Sequence, residues 1–439
     1  MKKNNSKRGQ KLWLKAKKII PGGNMLLSKR SEMFLPDKWP SYFSKSKGCH
    51  VWDLDKNKFI DFSLMGVGTN ILGYANNKVD LAVKKTINNG NMSTLNCPEE
   101  VELAEKLVSI HPWAEMVRLA RTGGEANSIA IRIARASSGK DKVAICGYHG
   151  WHDWYLSTNI GKKNNLDDHL LPGLNPKGVP NKLKGLTIPF KYNSLESFFS
   201  AIDNKDIGVI KMEVTRSVPP EPGFLETIRK VSREKNIVLI FDECTSGFRE
   251  TYGGIHKKYN IDPDIAVFGK ALGNGYAISA IIGRREIMES CQDTFVSSTF
   301  WTERIGPTAA LETLKEMQRL KSWNRISATG RYVKEVWQRL SDKYELKLNI
   351  SGIDAIPKFS FNSKNNLAYK TFITQEMLKR GFLSSNSVYT CINHSKKIIN
   401  EYERNIEKIF KTIKECESNI NINDLLDSKV CHSDFQRLN

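Results

Sequence analysis

An acid and an amine each follow a short apolar run in this chain. Asn236 to Phe241 (NIVLIF) and Asp264 to Phe268 (DIAVF) read as buried strands, rich in β-branched and apolar residues and bounded by polar or Gly signals. Asp242 follows the first run, and Lys270 follows Gly269 after the second. In open α/β sheets ligands collect at the carboxyl ends of strands, which brings both side chains to one crevice. The pair suits a pyridine ring that carries an aldehyde. The amine forms an imine with the aldehyde, and the carboxylate keeps the ring nitrogen protonated so that the ring accepts electrons.

Such a cofactor also needs a phosphate cradle, and Thr122-Gly123-Gly124-Glu125-Ala126-Asn127 offers one. Ala126, Ile129, Ala130, Ile133 and Ala134 recur at helical spacing directly after the Gly-Gly turn. The free N–H groups and positive dipole end of that helix suit a phosphate dianion, with the Thr122 hydroxyl as an added donor. Acid, amine and cradle together are the requirements of pyridoxal phosphate.

With Tyr148-His149-Gly150, Asp242-Glu243-Cys244-Thr245-Ser246-Gly247-Phe248-Arg249 and Phe268-Gly269-Lys270-Ala271-Leu272-Gly273-Asn274-Gly275, the chain resembles the class III pyridoxal-phosphate-dependent aminotransferases, and within them the glutamate-1-semialdehyde aminomutases and their relatives. The likeness runs in order from about Pro21-Gly22-Gly23 to a helix ending near Ile413. It implies an α/β fold of the fold-type-I transferase kind, with a mostly parallel sheet in a large domain and a small α/β C-terminal domain. It also implies roles. Lys270 would carry the cofactor and later shuttle protons, Asp242 would bind the ring nitrogen, and Thr122, Gly123 and Gly124 would hold the phosphate. Tyr148 would stack on one ring face in a geometry that aromatic groups favour. Cys244 would pack on the other face with Thr245 near the ring hydroxyl, positions where the family usually has an aliphatic and a longer side chain.

In the place of Ser298-Thr299 the family has a threonine that reaches the cofactor phosphate of the neighbouring subunit, so the resemblance implies a homodimer with Thr299 shared across it. Phe300-Trp301 reads as loop packing ahead of a helix from Thr308 to Arg319. Substrate candidates are Ser28, Arg30, His149 and Glu213. The aminomutases grip a substrate carboxylate with a serine and an arginine shortly after Pro-Gly-Gly. Here that segment is rebuilt as Asn24-Met25-Leu26-Leu27-Ser28-Lys29-Arg30. The C-terminal arginine of many class III transaminases has no match, nor has the aminomutase glutamate expected near Ser387 to Tyr389. His149 is expected to orient Tyr148.

These residues need a scaffold, and the patterning supplies one. Gln10 to Ile19 reads as a basic amphipathic helix, and Gly48 to Phe62 as a hairpin turning at Asp55-Lys56-Asn57. Alternating helices and strands from Val79 to Gly283 read as a mostly parallel sheet wrapped by helices. Thr308 to Tyr344 is a helical connector, followed by short strands near Ala355 to Phe361 and a helix from Ser395 to Lys414. The expected divisions are 1–65 (helix and hairpin), 66–310 (large cofactor domain), 311–414 (small C-terminal domain) and 415–439, a loosely ordered tail.

Composition excludes several classes of function. The 439 residues can bury a sizeable core. No apolar run is long enough to span a bilayer and no signal-like segment opens the chain, which points to a cytoplasmic protein without a membrane partner. The eight cysteines show no Cys-x-x-Cys spacing, and the histidines lack a third ligand at metal spacing, so no metal is expected. Gly-x-Ser-x-Gly is absent, which removes the common hydrolase arrangement. The 67 basic against 47 acidic residues give a net charge of +20, but the excess is spread over several segments with no RNA-binding signature. It reads as a solvated surface rather than a nucleic-acid interface.

Two reactions fit one scaffold. The first is transamination of a sugar-derived or other carbonyl compound, as in the making of a cell-surface polysaccharide. The second is intramolecular amino transfer, the aminomutase reaction that yields 5-aminolevulinate. A basic binding protein on an inactive scaffold is a third reading from another class, weakened by the intact Lys270 and Asp242.

Overall fold

The computed structural model describes residues 7–162, 164–169, 172–203 and 206–438. They divide into two compact units, one formed by the chain up to Asn76 together with Asn324–Asn439, the other by Asn77–Trp323. The strands, in chain order, are β1 Phe43–Lys47, β2 His50–Asp53, β3 Lys58–Phe62, β4 Met116–Ala120, β5 Lys142–Cys146, β6 Thr187–Pro189, β7 Ile207–Met212, β8 Val238–Asp242, β9 Ile265–Phe268, β10 Ser279–Gly283, β11 Leu348–Ser351, β12 Lys358–Phe361 and β13 Phe382–Ser384.

In the 77–323 unit a seven-stranded sheet runs in the order β4-β10-β9-β8-β7-β5-β6. The pairs from β9 through β6 are parallel, whereas β10 is antiparallel to both β9 and β4. This is the mostly parallel sheet that the sequence implies. Strands β7, β8 and β9 are buried along their whole length, as a sheet covered on both faces requires. The helix Gly123–Ser138 lays Ala126, Ile129, Ala130, Ile133 and Ala134 into a core with Val143, Val209, Ile240 and Val267. Those alanines let the helix lie close against the β-branched surface. The helix stops at Gly139, whose φ of 65° is left-handed and cheap only for glycine.

The other unit joins the two ends of the chain. The expected hairpin forms, with Val51 opposite Phe59 and His50 opposite Ile60. It belongs to a larger sheet of order β1-β2-β3-β13, in which β13 runs parallel to β3 with Phe382 beside Ile60. Periodicity cannot reveal that pairing, because it joins residues from opposite ends of the sequence. The core of this unit gathers Phe62, Trp337, Phe359, Tyr369, Tyr402, Ile406 and Phe410. The helix Lys396–Cys416 supplies the last three from one face, and the Ser395 hydroxyl caps it by accepting from the Ile398 N–H.

The stretch after Lys414, expected to be loose, is tied down. Ile422 and Cys431 are buried. The Cys431 N–H donates to Thr371 Oγ1 at 2.9 Å and the His432 N–H to the Glu32 carbonyl at 2.7 Å. Gln375 is bridged twice, accepting from the Asp427 N–H at 2.6 Å and donating to the Leu425 carbonyl at 2.9 Å. The polar Asn-rich start of the segment suggested disorder, but two well-spaced apolar anchors and donors at fixed partners order it.

Candidate active site

Asp242 ends β8, and Lys270 follows β9 after Gly269. The two strands pair in parallel with Asp242 opposite Val267, so both side chains stand at the carboxyl edge of neighbouring strands. Lys270 has a φ of 44°, a left-handed conformation that a side chain adopts only when its surroundings enforce it, at a cost of order 1–3 kcal/mol. Its Nζ donates to Thr245 Oγ1 at 2.8 Å. Thr245 therefore aims the amine. Cys244, half-buried, packs its sulfur between the phosphate turn and the lysine strand, 3.3 Å from where a side chain on Gly123 would begin and 3.5 Å from one on Gly269. Burial pushes its thiol well above the ordinary range, and the Asp242 charge adds to that.

Asp242 itself is buried and doubly held. Its Oδ2 accepts from His149 Nδ1 at 2.9 Å and its Oδ1 from the Cys244 N–H at 3.1 Å. Burial alone would raise the carboxyl, but the nearby Lys211 ammonium, the His149 hydrogen bond and the Cys244 N–H outweigh it and hold the acid well below the usual carboxylate range. His149 was expected to orient Tyr148 and stood among the substrate candidates. The structure instead turns its completely buried side chain toward Asp242, and burial lowers its own pKa. A neutral imidazole with its proton on Nδ1 is the tautomer that fits a carboxylate acceptor.

Tyr148 follows β5 on a turn fixed from below. Its N–H donates to Glu213 Oε2 at 3.0 Å, and the same carboxylate oxygen accepts from Arg216 Nη1 at 2.8 Å. Glu213, also a substrate candidate, is thus a buried clamp under the tyrosine. The Arg216 guanidinium lies 5.8 Å from the Tyr148 ring centroid. Gly147, with φ of 112°, has to be glycine here, since a methyl group would lie 2.8 Å from Glu213 Oε2. Beside this turn opens a cavity of about 580 Å³ lined by His169, Tyr192, Glu213 and Arg216 among others. Burial lowers the His169 pKa to about 4, so the imidazole is neutral at pH 7.

At the phosphate turn, Thr122 caps the helix Gly123–Ser138 in a reciprocal capping box with Glu125. Its hydroxyl donates to Glu125 Oε2 at 3.0 Å and is therefore committed within the cap. A side chain on Gly123 would meet Cys244, and one on Gly124 would meet His152 and Trp151. Thr299 begins a short turn, Thr299–Thr302, held by Arg121 through the Trp301 and Glu303 carbonyls at 2.8 Å each. Thr299 and Phe300 are exposed, Phe300 by 70%, while Trp301 packs on the core; the expected loop packing is met by only one of the two aromatics.

Ser28 and Arg30 lie in the other unit. Ser28 sits on the turn Leu27–Lys29, and Arg30 Nη1 donates to the Gln436 carbonyl at 2.8 Å with its guanidinium 5.6 Å from the Phe435 ring. Among the described residues no group of three or more His, Cys, Asp and Glu side chains is placed to hold a metal ion. No described helix is long and apolar enough to cross a membrane.

The family model described as "Aminotransferase class-III" matches residues 36–414. The chain belongs to the class III aminotransferase family. This aminotransferase is 34% identical over 378 residues to a 3-aminobutyryl-CoA aminotransferase of Cloacimonas acidaminovorans, covering 84% of this chain and 87% of the relative. It is 32% identical over 431 residues to a glutamate-1-semialdehyde 2,1-aminomutase of Methanocaldococcus jannaschii, covering 92% and 98%. Among solved structures its fold matches a FumI protein of Sphingopyxis sp. MTA144 with a TM-score of 0.83 at 23% identity, covering 95% of this chain and 99% of the other. It also matches a glutamate-1-semialdehyde aminomutase of Pseudomonas aeruginosa PAO1 with a TM-score of 0.79 at 17% identity, covering 92% and 94%. The chain is an enzyme of the fold-type-I α/β kind, and its cofactor is pyridoxal phosphate.

The residues present fit that cofactor. A buried, ionised carboxylate suits a protonated ring nitrogen, a strand-end amine suits an aldehyde, and a capped helix N-terminus with two glycines suits a phosphate. Sequence reasoning missed Lys211 and Arg216. A cation inside a strand that is otherwise apolar carries no periodic signal, and Arg216 is distinguished only by the pocket it enters.

Proposed function

We propose that this aminotransferase moves an amino group between a small-molecule amine donor and a separate carbonyl substrate other than glutamate-1-semialdehyde. The observation that carries the site assignment is the Lys270 amine, held 2.8 Å from Thr245 Oγ1, beside the strand that ends in the buried Asp242–His149 pair. Bound pyridoxal phosphate supplies an aldehyde that exchanges amines and a ring that stores the electron pair of the substrate carbon. The chain's own groups supply the rest. Thr245 Oγ1 fixes the direction of Lys270 Nζ. Lys270 Nζ takes the proton from the substrate carbon bearing the amine and delivers it again after transfer. Asp242 keeps a negative charge at the ring nitrogen, with His149 setting its direction. Gly123 and Gly124 would present backbone N–H groups to the phosphate, and Tyr148 and Cys244 would cover the two ring faces. The cavity beside Tyr148, with Arg216 at its wall, supports an anionic end on the carbonyl substrate.

Arg30 favours the two-substrate reaction. The guanidinium that would clamp an aminomutase substrate is occupied by the Gln436 carbonyl and the Phe435 ring, and burial lowers its pKa. We include a homodimer in the proposal, supported by the exposure of Thr299, Phe300 and Phe295 on one stretch of surface chain. The test is donor dependence. With pyridoxal phosphate and a panel of aldehydes, product should form only when an amine donor is added. Donor-free production of 5-aminolevulinate from glutamate-1-semialdehyde at roughly 1 per second or more would overturn the reading.

A further inference from the structure

Strand β7 is buried from end to end, and one of its residues is a lysine. Lys211 is completely buried, and its Nζ has no hydrogen-bond partner among the described residues. An ammonium in that position carries a heavy desolvation penalty, which lowers its pKa and which an apolar side chain would avoid.

The sheet register shows what surrounds it. Lys211 pairs with Ile240 across the parallel β7/β8 ladder. Side chains alternate along a strand, so Glu213, two residues on from Lys211, and Asp242, two residues on from Ile240, project from the same face of the sheet as Lys211. A buried cation therefore lies beside the two buried carboxylates that set the ring acid and the Tyr148 turn. His149 completes the set. Its Nδ1 is engaged by Asp242, and its Nε2 is buried without a partner among the described residues. With the proton on Nδ1, that Nε2 is an acceptor, while Lys211 Nζ is a donor.

We propose that Lys211 is a positioning residue for the cofactor ring: its buried ammonium is the counter-charge that keeps Asp242 a carboxylate directed at the ring nitrogen. The inference rests on the assignment of Asp242 to that nitrogen. The titratable groups facing Asp242 are Lys211 and Glu213 from β7 and its end, His149, Tyr148 and Tyr155 from the segment after β5, and Cys244 beside it. Lys211 is the cation among them, because burial keeps His149 neutral near pH 7. Without it, burial acts on Asp242 with only the His149 and backbone hydrogen bonds to oppose it, and the carboxyl shifts upward.

The experiment uses the full chain with Lys211→Met, which fills similar space, Lys211→Gln, which removes only the charge, and Lys211→Arg, which keeps it. Pyridoxal phosphate is titrated into each protein and followed by absorbance from pH 8 down to pH 4. Lys211→Met and Lys211→Gln should each weaken cofactor binding by at least about tenfold, the factor that accompanies a one-unit change in pKa. They should also lose the cofactor at a higher pH than the wild type. Lys211→Arg should restore both properties in large part. In the cofactor-free protein, ring NMR of His149 should show it protonating at higher pH in Lys211→Met, since a neighbouring cation has gone. Unchanged cofactor affinity, acid profile and His149 titration in both neutral variants would overturn the proposal, as would a Lys211→Arg protein no better than Lys211→Gln. Asp242→Asn is measured in parallel. If it also leaves binding unchanged, the assignment of Asp242 fails; if it alone weakens binding, only the role of Lys211 fails.

Discussion

Replacing Asp242 by Asn tests the buried charge arrangement without any substrate. The amide keeps an oxygen for the Cys244 N–H, at 3.1 Å in the wild type, but loses the charge-assisted bond to His149 at 2.9 Å and the attraction to Lys211. A hydrogen bond to a charged group contributes about 1.5–3 kcal/mol, and a buried charge left without its partner costs about 3–5 kcal/mol unless it sheds its proton. Lys211, already pushed down by burial, can do so. We therefore expect a net loss of about 3 kcal/mol, which for a domain of about 250 residues lowers Tm by roughly 6–12 °C. The assay is calorimetry of the cofactor-free protein at pH 7. Asp242 is held below its ordinary value of 3.8, so its contribution is fully present above that pH and disappears as the pH falls through the lower folded value. The gap between wild type and variant should thus persist at pH 5 and close only in strong acid. Against a Lys211→Met background the same substitution should cost less than half as much, because no stranded cation remains. A Tm within about 2 °C of wild type in the single variant, with no dependence on Lys211, would refute the reasoning.

Other consequences are equally direct. Gly147→Ala, forced into a φ of 112° with its methyl 2.8 Å from Glu213 Oε2, should cost roughly 1–3 kcal/mol and weaken cofactor binding. Gly139→Ala, with φ of 65° and open space around it, should show only the left-handed penalty of roughly 1 kcal/mol in the same melts. Burial lowers His111 to about 3 and His169 and His394 each to about 4. The unfolded chain therefore binds more protons below pH ~6.5, and each such histidine should remove about 1.4 kcal/mol of stability per pH unit there; a Tm flat between pH 7 and 5 would contradict this. Ile422→Ala should cost about 2–5 kcal/mol and open residues 417–432 to limited proteolysis, whereas immediate cleavage of the wild type there would show the segment to be loose. Mixing inactive Lys270→Ala and Thr299→Ala subunits should restore activity in heterodimers, and an active monomer by light scattering would remove the shared site.

What the sequence made legible follows from the range of the contacts involved. Asp242 and Lys270 could be placed because each sits within a residue or two of the apolar run that positions it. The helix at Gly123–Ser138 could be placed because cap, glycines and apolar spacing lie within one segment. The Asp242–His149 bond spans 93 positions, and nothing local to Tyr148-His149-Gly150 says whether the imidazole turns toward the tyrosine or toward the acid. Lys211 was hidden for another reason. Which face of a strand a residue occupies depends on its neighbours in the sheet, and those were unknown until β7 was seen between β5 and β8. The tail misled because composition reports average solubility, while order here comes from a few anchors such as Ile422 and Cys431.

The pairing of β13 with β3 also sets a timetable for synthesis. Ile60 leaves the ribosome about 320 residues before Phe382, so at 5–20 residues per second β3 waits on the order of 15–60 s for its parallel neighbour. During that interval the hairpin presents an open edge, and Phe62 lacks the side chains from beyond residue 324 that later enclose it. The 77–323 unit, contiguous in sequence, has a shorter delay, its widest strand pairing joining β4 to β10 about 160 residues later. A circular permutant that joins the present termini and begins at residue 77 would make the divided unit continuous and cut the separation of the two strands to about 117 residues, roughly a third of the present wait. Nascent-chain aggregation should then fall in the permutant while the finished fold stays the same.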